Sequence, residues 1–162
     1  MATFNEHINQ ATKNLQFLVE TNSNNSIHWD WQVTVCFYVG VHLINCHLAK
    51  IANLHYRTHA DVKNAINPHN SLSISTLPEP IYLSYAKLEG LSRRARYLCH
   101  DDFQNRDTNG FFTYDKHFSK AVKNLDIILD YFKCLYSLNF DNLYIKCEDL
   151  NINSAQKIFK IK

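Results

Sequence analysis

The sequence predicts an all-α protein: an up-and-down bundle of four or five helices followed by a short C-terminal extension. Only three Gly and three Pro occur in the 162 residues, which favours long helices over a turn-rich β-sandwich. Several segments repeat apolar residues at steps of three and four, the period of an amphipathic helix. One further segment, 33–44, is apolar on every side of a helical wheel, as expected of a helix buried at the centre of a bundle.

The predicted central helix is the segment 31–52, WQVTVCFYVGVHLINCHLAKIA. Its apolar run is about 12 residues long, whereas a membrane-spanning helix needs about 18–20. The N-terminus lacks the basic and apolar regions of a signal peptide. Five cysteines, an odd number without paired spacing, favour a reducing compartment. We therefore expect a cytoplasmic protein without membrane contact.

The first two helices have polar residues at their ends. Helix one is predicted from Phe4 to about Glu20, because Thr3 and Glu6 form a capping box. The polar run 21–26 predicts a loop, and Ser26 is the expected cap of the central helix, which should end near Asn53.

Three more helices follow. A short third helix is capped by Thr58 with Asp61 and ends at Asn67-Pro68. Helix four begins at Pro80 and runs to about Cys99 or His100. Helix five begins after Thr113 and runs to about Leu138. The buried stripes predicted for helices four and five are Ile81, Tyr85, Leu88, Leu91, Ala95 and Leu98, and Phe118, Val122, Leu125, Ile128, Phe132 and Leu135.

The C-terminal residues change character. Two short β-prone runs, 143–147 and 157–161, predict either a small β-hairpin or a frayed terminus. We therefore divide the chain into a helical-bundle domain, 1–140, and a C-terminal extension, 141–162.

The densest polar cluster lies near the end of helix four. At about 100° per residue, Arg93, Arg96 and His100 share one face with Glu89, whereas Arg94 points about 120° away from His100. Guanidinium groups bind phosphate oxygens, and an imidazole moves protons near neutral pH. Cleavage of RNA by its 2′-hydroxyl needs both. The alternative is a solvated face on which Arg93 pairs with Glu89 and His100 is a cation at a helix C-terminus.

Two other groups of residues have alternative interpretations. His42 with Cys46 and His55 with His59 have the spacing of metal ligands, but no carboxylate or Cys-X-X-Cys completes a site, so we expect no metal. His42 and His47 then belong to the core or its rim, and His59 serves the loop before helix three. Trp29 and Trp31 either stack on bases or anchor the start of the central helix.

Three segments resemble the HEPN-domain superfamily. Asp30-Trp31 followed by VTVCFYVGVHLINCHLA resembles its central helix, and His55-Tyr-Arg-Thr-His59 resembles the connection that follows. Ser92-Arg93-Arg94-Ala95-Arg96-Tyr97 resembles its arginine-containing helix. The resemblance implies a helical domain that forms homodimers and acts in prokaryotic conflict systems, as a toxin or an abortive-infection effector.

The resemblance also implies a metal-independent endoribonuclease without a cofactor. Catalytic members have an Arg, four to six residues and then a His, and Arg93 or Arg94 with His100 matches that spacing. We expect Arg93 and Arg96 to hold phosphate, His100 to be the acid or base, and Arg94 and Tyr97 to contact RNA. The alternative is a non-catalytic dimerisation module that binds a nucleotide, a cognate antitoxin or another partner protein. A metal-dependent enzyme would need three ligands converging on one point.

Overall fold

The computed structural model describes residues 2–24, 27–97, 112–150 and 156–162. These residues form five α-helices and one small sheet, which confirms the all-α prediction. The helices are α1 (Phe4–Asn24), α2 (Trp29–Ala52), α3 (His59–Ala65), α4 (Glu79–Tyr97) and α5 (Asp115–Tyr136), and the strands are β1 (Tyr144–Ile145) and β2 (Lys160–Ile161).

Helix α2 is the centre of the bundle and packs against α1, α4 and α5. Buried residues occur on all its sides, as the apolar run predicts; Val33, Phe37, Val39 and Ile44 are fully buried. By length and composition α2 is also the one described helix that could cross a membrane. Here the neighbouring helices cover most of its surface, which is the environment of a core helix.

Two predicted caps are confirmed. The Glu6 amide donates to Thr3 Oγ1 at 3.3 Å, and the Thr3 amide donates to Glu6 Oε2 at 2.7 Å. At α3, the Asp61 amide donates to Thr58 Oγ1 at 3.2 Å. Such side chains satisfy amides that the first turn of a helix leaves without partners. They fix where α1 and α3 begin.

The predicted end of helix one was wrong, because α1 continues to Asn24. Asn22 is buried and its side-chain amide donates to Gln32 Oε1 and to the Lys146 carbonyl, both at 2.9 Å. Its Oδ1 accepts the Lys146 amide at 2.6 Å. These distant partners occupy a side chain that would otherwise compete with the helix backbone. Ser26, the predicted cap of helix two, lies outside the described residues.

The other helix boundaries shift by one or two residues. Helix α2 begins at Trp29 and ends, as predicted, at Asn53, which adopts the left-handed conformation. Helix α4 begins at Glu79 rather than Pro80. Tyr114 rather than Thr113 precedes α5, and its amide donates to His117 Nδ1 at 3.0 Å.

The buried stripes of α4 and α5 are confirmed with two exceptions. Leu91 is only half-buried, and Leu135 is 45% exposed because it lies near the end of α5. The last residue of the predicted α4 stripe, Leu98, lies outside the described residues, as do Cys99 and His100.

The C-terminal extension forms a parallel pair of strands, so neither the hairpin nor the frayed terminus is correct. Tyr144 pairs with Lys160 and Ile145 with Ile161. Parallel strands need a long crossover, and the chain between β1 and β2 supplies it. Ile158 and Phe159 are buried in the same core as the helices. The extension therefore completes the bundle core.

Candidate functional site

The three arginines near the end of α4 lie in three different surroundings. Arg93 is exposed and lines a small depression with Lys63 and Glu89. Lys63 Nζ of α3 lies 3.3 Å from Glu89 Oε2, so a lysine pairs with the carboxylate that the sequence offered as a partner of Arg93. An arginine beside an existing ion pair belongs to a charged surface network, and such networks contribute little individually to stability.

Arg94 faces α5, whereas the helical wheel predicted only that it points away from His100. It lines an open groove of about 600 Å³ between α4 and α5, which we call the α4–α5 groove. The described residues that line it are Leu83, Ala86, Lys87, Gly90, Leu91, Arg94, Lys120 and Asn124. The structure therefore separates Arg94 from Arg96.

Arg96 faces the first turns of α2. It lines a cavity of about 140 Å³ together with Asp30, Trp31 and Thr34. Its Nε donates to the Ser92 carbonyl at 3.3 Å, and its guanidinium carbon lies 5.2 Å from the centre of the Tyr97 ring. This contact with an aromatic face orients the guanidinium group.

Exposed aromatic side chains surround Arg96. Trp31 is 62% exposed and Tyr97 is 66% exposed, and Tyr38 is exposed two turns further along α2. Trp29, by contrast, packs against Phe118 with ring centres 5.5 Å apart. Trp29 therefore anchors the start of the central helix, one of the two alternatives that the sequence left open. We call the surface formed by Trp31, Tyr38, His59, Arg96 and Tyr97 the α2–α4 face.

His59 is the titratable group of the α2–α4 face. It is the first residue of α3, placed by the Thr58 cap, and its ring packs edge-on against Phe37 at 4.9 Å between centres. The Tyr38 ring centre lies 6.1 Å away. Burial lowers the pKa of His59, the positive charge of Arg96 lowers it further, and Glu89 opposes this. His59 is therefore neutral at pH 7, the form that accepts a proton.

The sequence did not identify His59 as a site residue. The Thr58–Asp61 cap places His59 in the first turn of a helix, but nothing local indicates its neighbours. Arg96 is distant along the chain, and its charge acts on His59 because α3 packs beside α4.

The described residues include four of the five predicted site residues. The structure brings Arg96 and Tyr97 together on the α2–α4 face and places Arg93 and Arg94 on other surfaces. His100 lies outside the described residues, so its position relative to these arginines stays a prediction.

The histidine pairs with metal-ligand spacing make other contacts. His42 and His55 both contact His7 rather than Cys46 and His59, the residues at metal-ligand spacing from them. Cys46 donates to the Leu43 carbonyl, and burial raises the pKa of its thiol to about 12, which disfavours the thiolate that binds metals. Within the described residues, no group of three or more His, Cys, Asp and Glu side chains is arranged to hold a metal ion.

The fold defines the class of this chain: an all-α bundle with a short C-terminal extension that closes its core. Comparison with protein-family models found no matching family, and comparisons with curated proteins and with solved structures found no match either. The resemblance to HEPN domains therefore stays an interpretation of the sequence.

Proposed function

We propose that this protein is a metal-independent endoribonuclease that binds single-stranded RNA on the α2–α4 face. The observation that carries the proposal is the placement of the Arg96 guanidinium against Trp31 and Tyr97, with the His59 imidazole near enough for the Arg96 charge to lower its pKa. Exposed aromatic rings border both groups. A cation, a base and stacking surfaces are what cleavage of a single strand requires.

Binding would depend on stacking and charge. Each base that stacks on an aromatic side chain contributes about 1–3 kcal/mol, and Trp31 and Tyr97 are the most exposed rings of the face. Arg96 lies between α2 and Tyr97, where its guanidinium can donate to a phosphate of the bound strand. Stacking tolerates any base, so we expect weak sequence preference from this face alone.

The chemistry follows from the protonation states. Neutral His59 accepts the proton of a ribose 2′-hydroxyl while the 2′-oxygen attacks the adjacent phosphorus and the bond to the 5′-oxygen breaks. Arg96 stabilises the negative charge that develops on the phosphorane. A second acid protonates the leaving 5′-oxygen, and we assign this role to His100, which the sequence predicts to be a general acid or base. The products are a 2′,3′-cyclic phosphate and a 5′-hydroxyl, and no metal ion is required.

The biological setting is part of the proposal. The resemblance to HEPN domains implies a cytoplasmic homodimer that acts as a toxin or abortive-infection effector. In such a dimer the Arg and His side chains of two protomers meet across the interface. The exposed aromatic side chains Trp31, Tyr38 and Tyr97 are consistent with a surface that a ligand or a second protomer covers.

Cleavage of a labelled mixed-sequence RNA in EDTA tests the proposal. We expect His59→Gln and His100→Ala each to slow cleavage by about 10²-fold or more, the usual contribution of a general acid or base. Arg96→Gln should weaken both binding and cleavage. His69→Gln is the matched control. His69 is exposed, its Nε2 lies 3.3 Å from Glu79 Oε1, and it is not part of the α2–α4 face.

Two further readouts separate binding from chemistry. The 2′-deoxy form of the same oligonucleotide cannot be cleaved this way, and we expect it to bind wild type and His59→Gln with similar affinity. Absence of cleavage by folded wild-type protein between pH 5 and pH 9 would contradict the ribonuclease proposal. Binding without cleavage would leave the non-catalytic module as the remaining function.

A further inference from the structure

The α4–α5 groove lies on a different surface from the α2–α4 face and has its own composition. Lys87 and Arg94 from α4 and Lys120 from α5 line it, and none of its described lining residues is Asp or Glu. The groove is therefore positively charged on both sides.

The floor of the groove is apolar. Leu83 is 43% exposed, and Leu91 contributes a partly exposed side chain about one turn before Arg94. Gly90, which has no side chain, leaves the surface concave between them. On α5, Ile127 is also 43% exposed, one turn after Asn124. Exposed leucine and isoleucine side chains beside a concave surface are typical of protein-binding sites.

We propose that the α4–α5 groove binds an acidic amphipathic helix of a partner protein. The lining of α4 extends from Leu83 to Arg94, about 16 Å or three helical turns, which is the length over which such a helix presents its anchor residues. Apolar side chains of the bound helix would cover Leu83 and Leu91. Its flanking carboxylates would pair with Lys87 on one side and with Lys120 on the other.

A second copy of this chain does not fit the groove. A two-fold interface places the same surface against itself, and this would bring Lys87, Arg94 and Lys120 close to their own copies. Like charges in an interface suppress association. An RNA strand would satisfy the lysines but would leave Leu83 and Leu91 without apolar contacts. The proposal does not depend on the ribonuclease chemistry, which uses the opposite side of α4.

The test uses two fluorescein-labelled peptides of roughly 18 residues, about five helical turns. The first has leucines at three- and four-residue spacing with glutamates on either side. In the second, the leucines are replaced by glutamine and the glutamates are kept. We expect saturable binding of the first peptide to the full chain, weakened by salt, and at least about tenfold weaker binding of the second.

Variants locate the binding. Lys120→Glu and Leu83→Gln should each weaken binding of the first peptide by about tenfold or more. Lys123→Glu is the matched control: Lys123 is an exposed lysine of α5 that does not line the groove, and the substitution changes the net charge equally. Far-ultraviolet circular dichroism confirms that each variant is folded. Leu83 is exposed, so Leu83→Gln tests the groove without disturbing the core.

Several outcomes would overturn the proposal. One is absence of saturable binding to wild type. A second is equal loss in Lys120→Glu and Lys123→Glu, which would show an effect of net charge alone. A third is equal affinity for the two peptides, or displacement of the first peptide by ATP or by single-stranded RNA at comparable concentration. Either of these last two results would identify a general polyanion site.

Discussion

His7 Nε2 lies 2.9 Å from His55 Nδ1, and the other nitrogen of the His7 ring, Nδ1, lies 3.1 Å from His42 Nδ1. Three imidazoles from α1, α2 and the segment after α2 thus form a hydrogen-bonded chain. Each of the two contacts needs one N–H donor and one nitrogen acceptor. Three neutral rings satisfy both contacts when their N–H groups donate in the same direction along the chain of rings. The chain connects the N-terminal helix to the segment that precedes α3.

Acidification should weaken this connection. The pKa of His7 is lowered from its usual 6.5 to about 4. Burial is the largest cause, and the charges of the neighbouring His42 and His55 imidazoles are the next largest. The unfolded chain therefore binds the proton first, and stability present above about pH 6.5 is lost as the pH falls towards 4. We expect a loss of about 2–3 kcal/mol in the free energy of unfolding from His7. Urea denaturation at pH 7 and at pH 4.5 measures it.

The matched variant for this prediction is His7→Gln, which removes the titrating group. It should lower stability at pH 7 and show a smaller loss between the two pH values. Burial also lowers the pKa values of His42 and His47, so some acid dependence should remain. Equal stability of the wild type at pH 7 and pH 4.5 would contradict the prediction.

Val39→Asp should unfold the protein. Val39 is fully buried in α2, the helix that contacts α1, α4 and α5. The substitution places an unpaired carboxylate in the core, which we expect to cost more than about 4 kcal/mol. Tyr38→Asn, at the adjacent exposed position, is the control and should remain folded. A soluble Val39→Asp variant with a cooperative thermal transition would show that α2 is not the central helix.

Asp126→Asn should detach the C-terminal extension. Its buried carboxylate accepts the amides of Lys157, Ile158 and Phe159 at 2.8, 2.9 and 3.0 Å. Asparagine loses the charge and turns an NH₂ group towards these donors. We expect a cost of about 2–3 kcal/mol and faster hydrogen exchange of the three amides.

Asp130→Asn is the control for this prediction. Asp130 forms an ion pair with the exposed Lys157 ammonium, so its loss should change the free energy of unfolding far less than Asp126→Asn does. Unchanged exchange protection of the Ile158 and Phe159 amides in Asp126→Asn would contradict the assigned role of Asp126.

Gly40→Ala should stabilise the protein. Gly40 lies within α2, where glycine costs about 0.5–1 kcal/mol relative to alanine. An added methyl group would lie 3.5 Å from Leu88 Cδ1 and 3.8 Å from Ile128 Cδ1, both ordinary contact distances. We expect a gain of about 0.5–1 kcal/mol in chemical denaturation. A loss of stability would indicate that α2 and α4 cannot accept even this small increase in volume.

The sequence predicted the features that depend on neighbouring residues. The caps at Thr3 and Thr58 and the end of α2 near Asn53 are set within a few residues, and their local chemistry is visible in the sequence. Boundaries set by distant partners were missed. The additional turn of α1 is one example, because Asn22 bonds to Lys146 from the other end of the chain.

At the candidate site, too, the sequence predicted what the local helix geometry sets and missed what distant contacts set. The helical period predicted that Arg94 and Arg96 point in different directions, and the structure places them in separate depressions. The period could not predict that His59 would join Arg96, because their proximity comes from the packing of α3 against α4. The resemblance assigned the imidazole role to His100 alone.

The sequence by itself determined the all-α class, the central position of α2 and the amphipathic faces of α4 and α5, because apolar periodicity specifies which side of each helix is buried. Only the tertiary structure decided three features: the parallel strand pair, the His42–His7–His55 chain, and which side chains lie beside Arg96 on the α2–α4 face. These features join residues far apart in the chain. The packing of the whole bundle selects such contacts, and no local pattern encodes them.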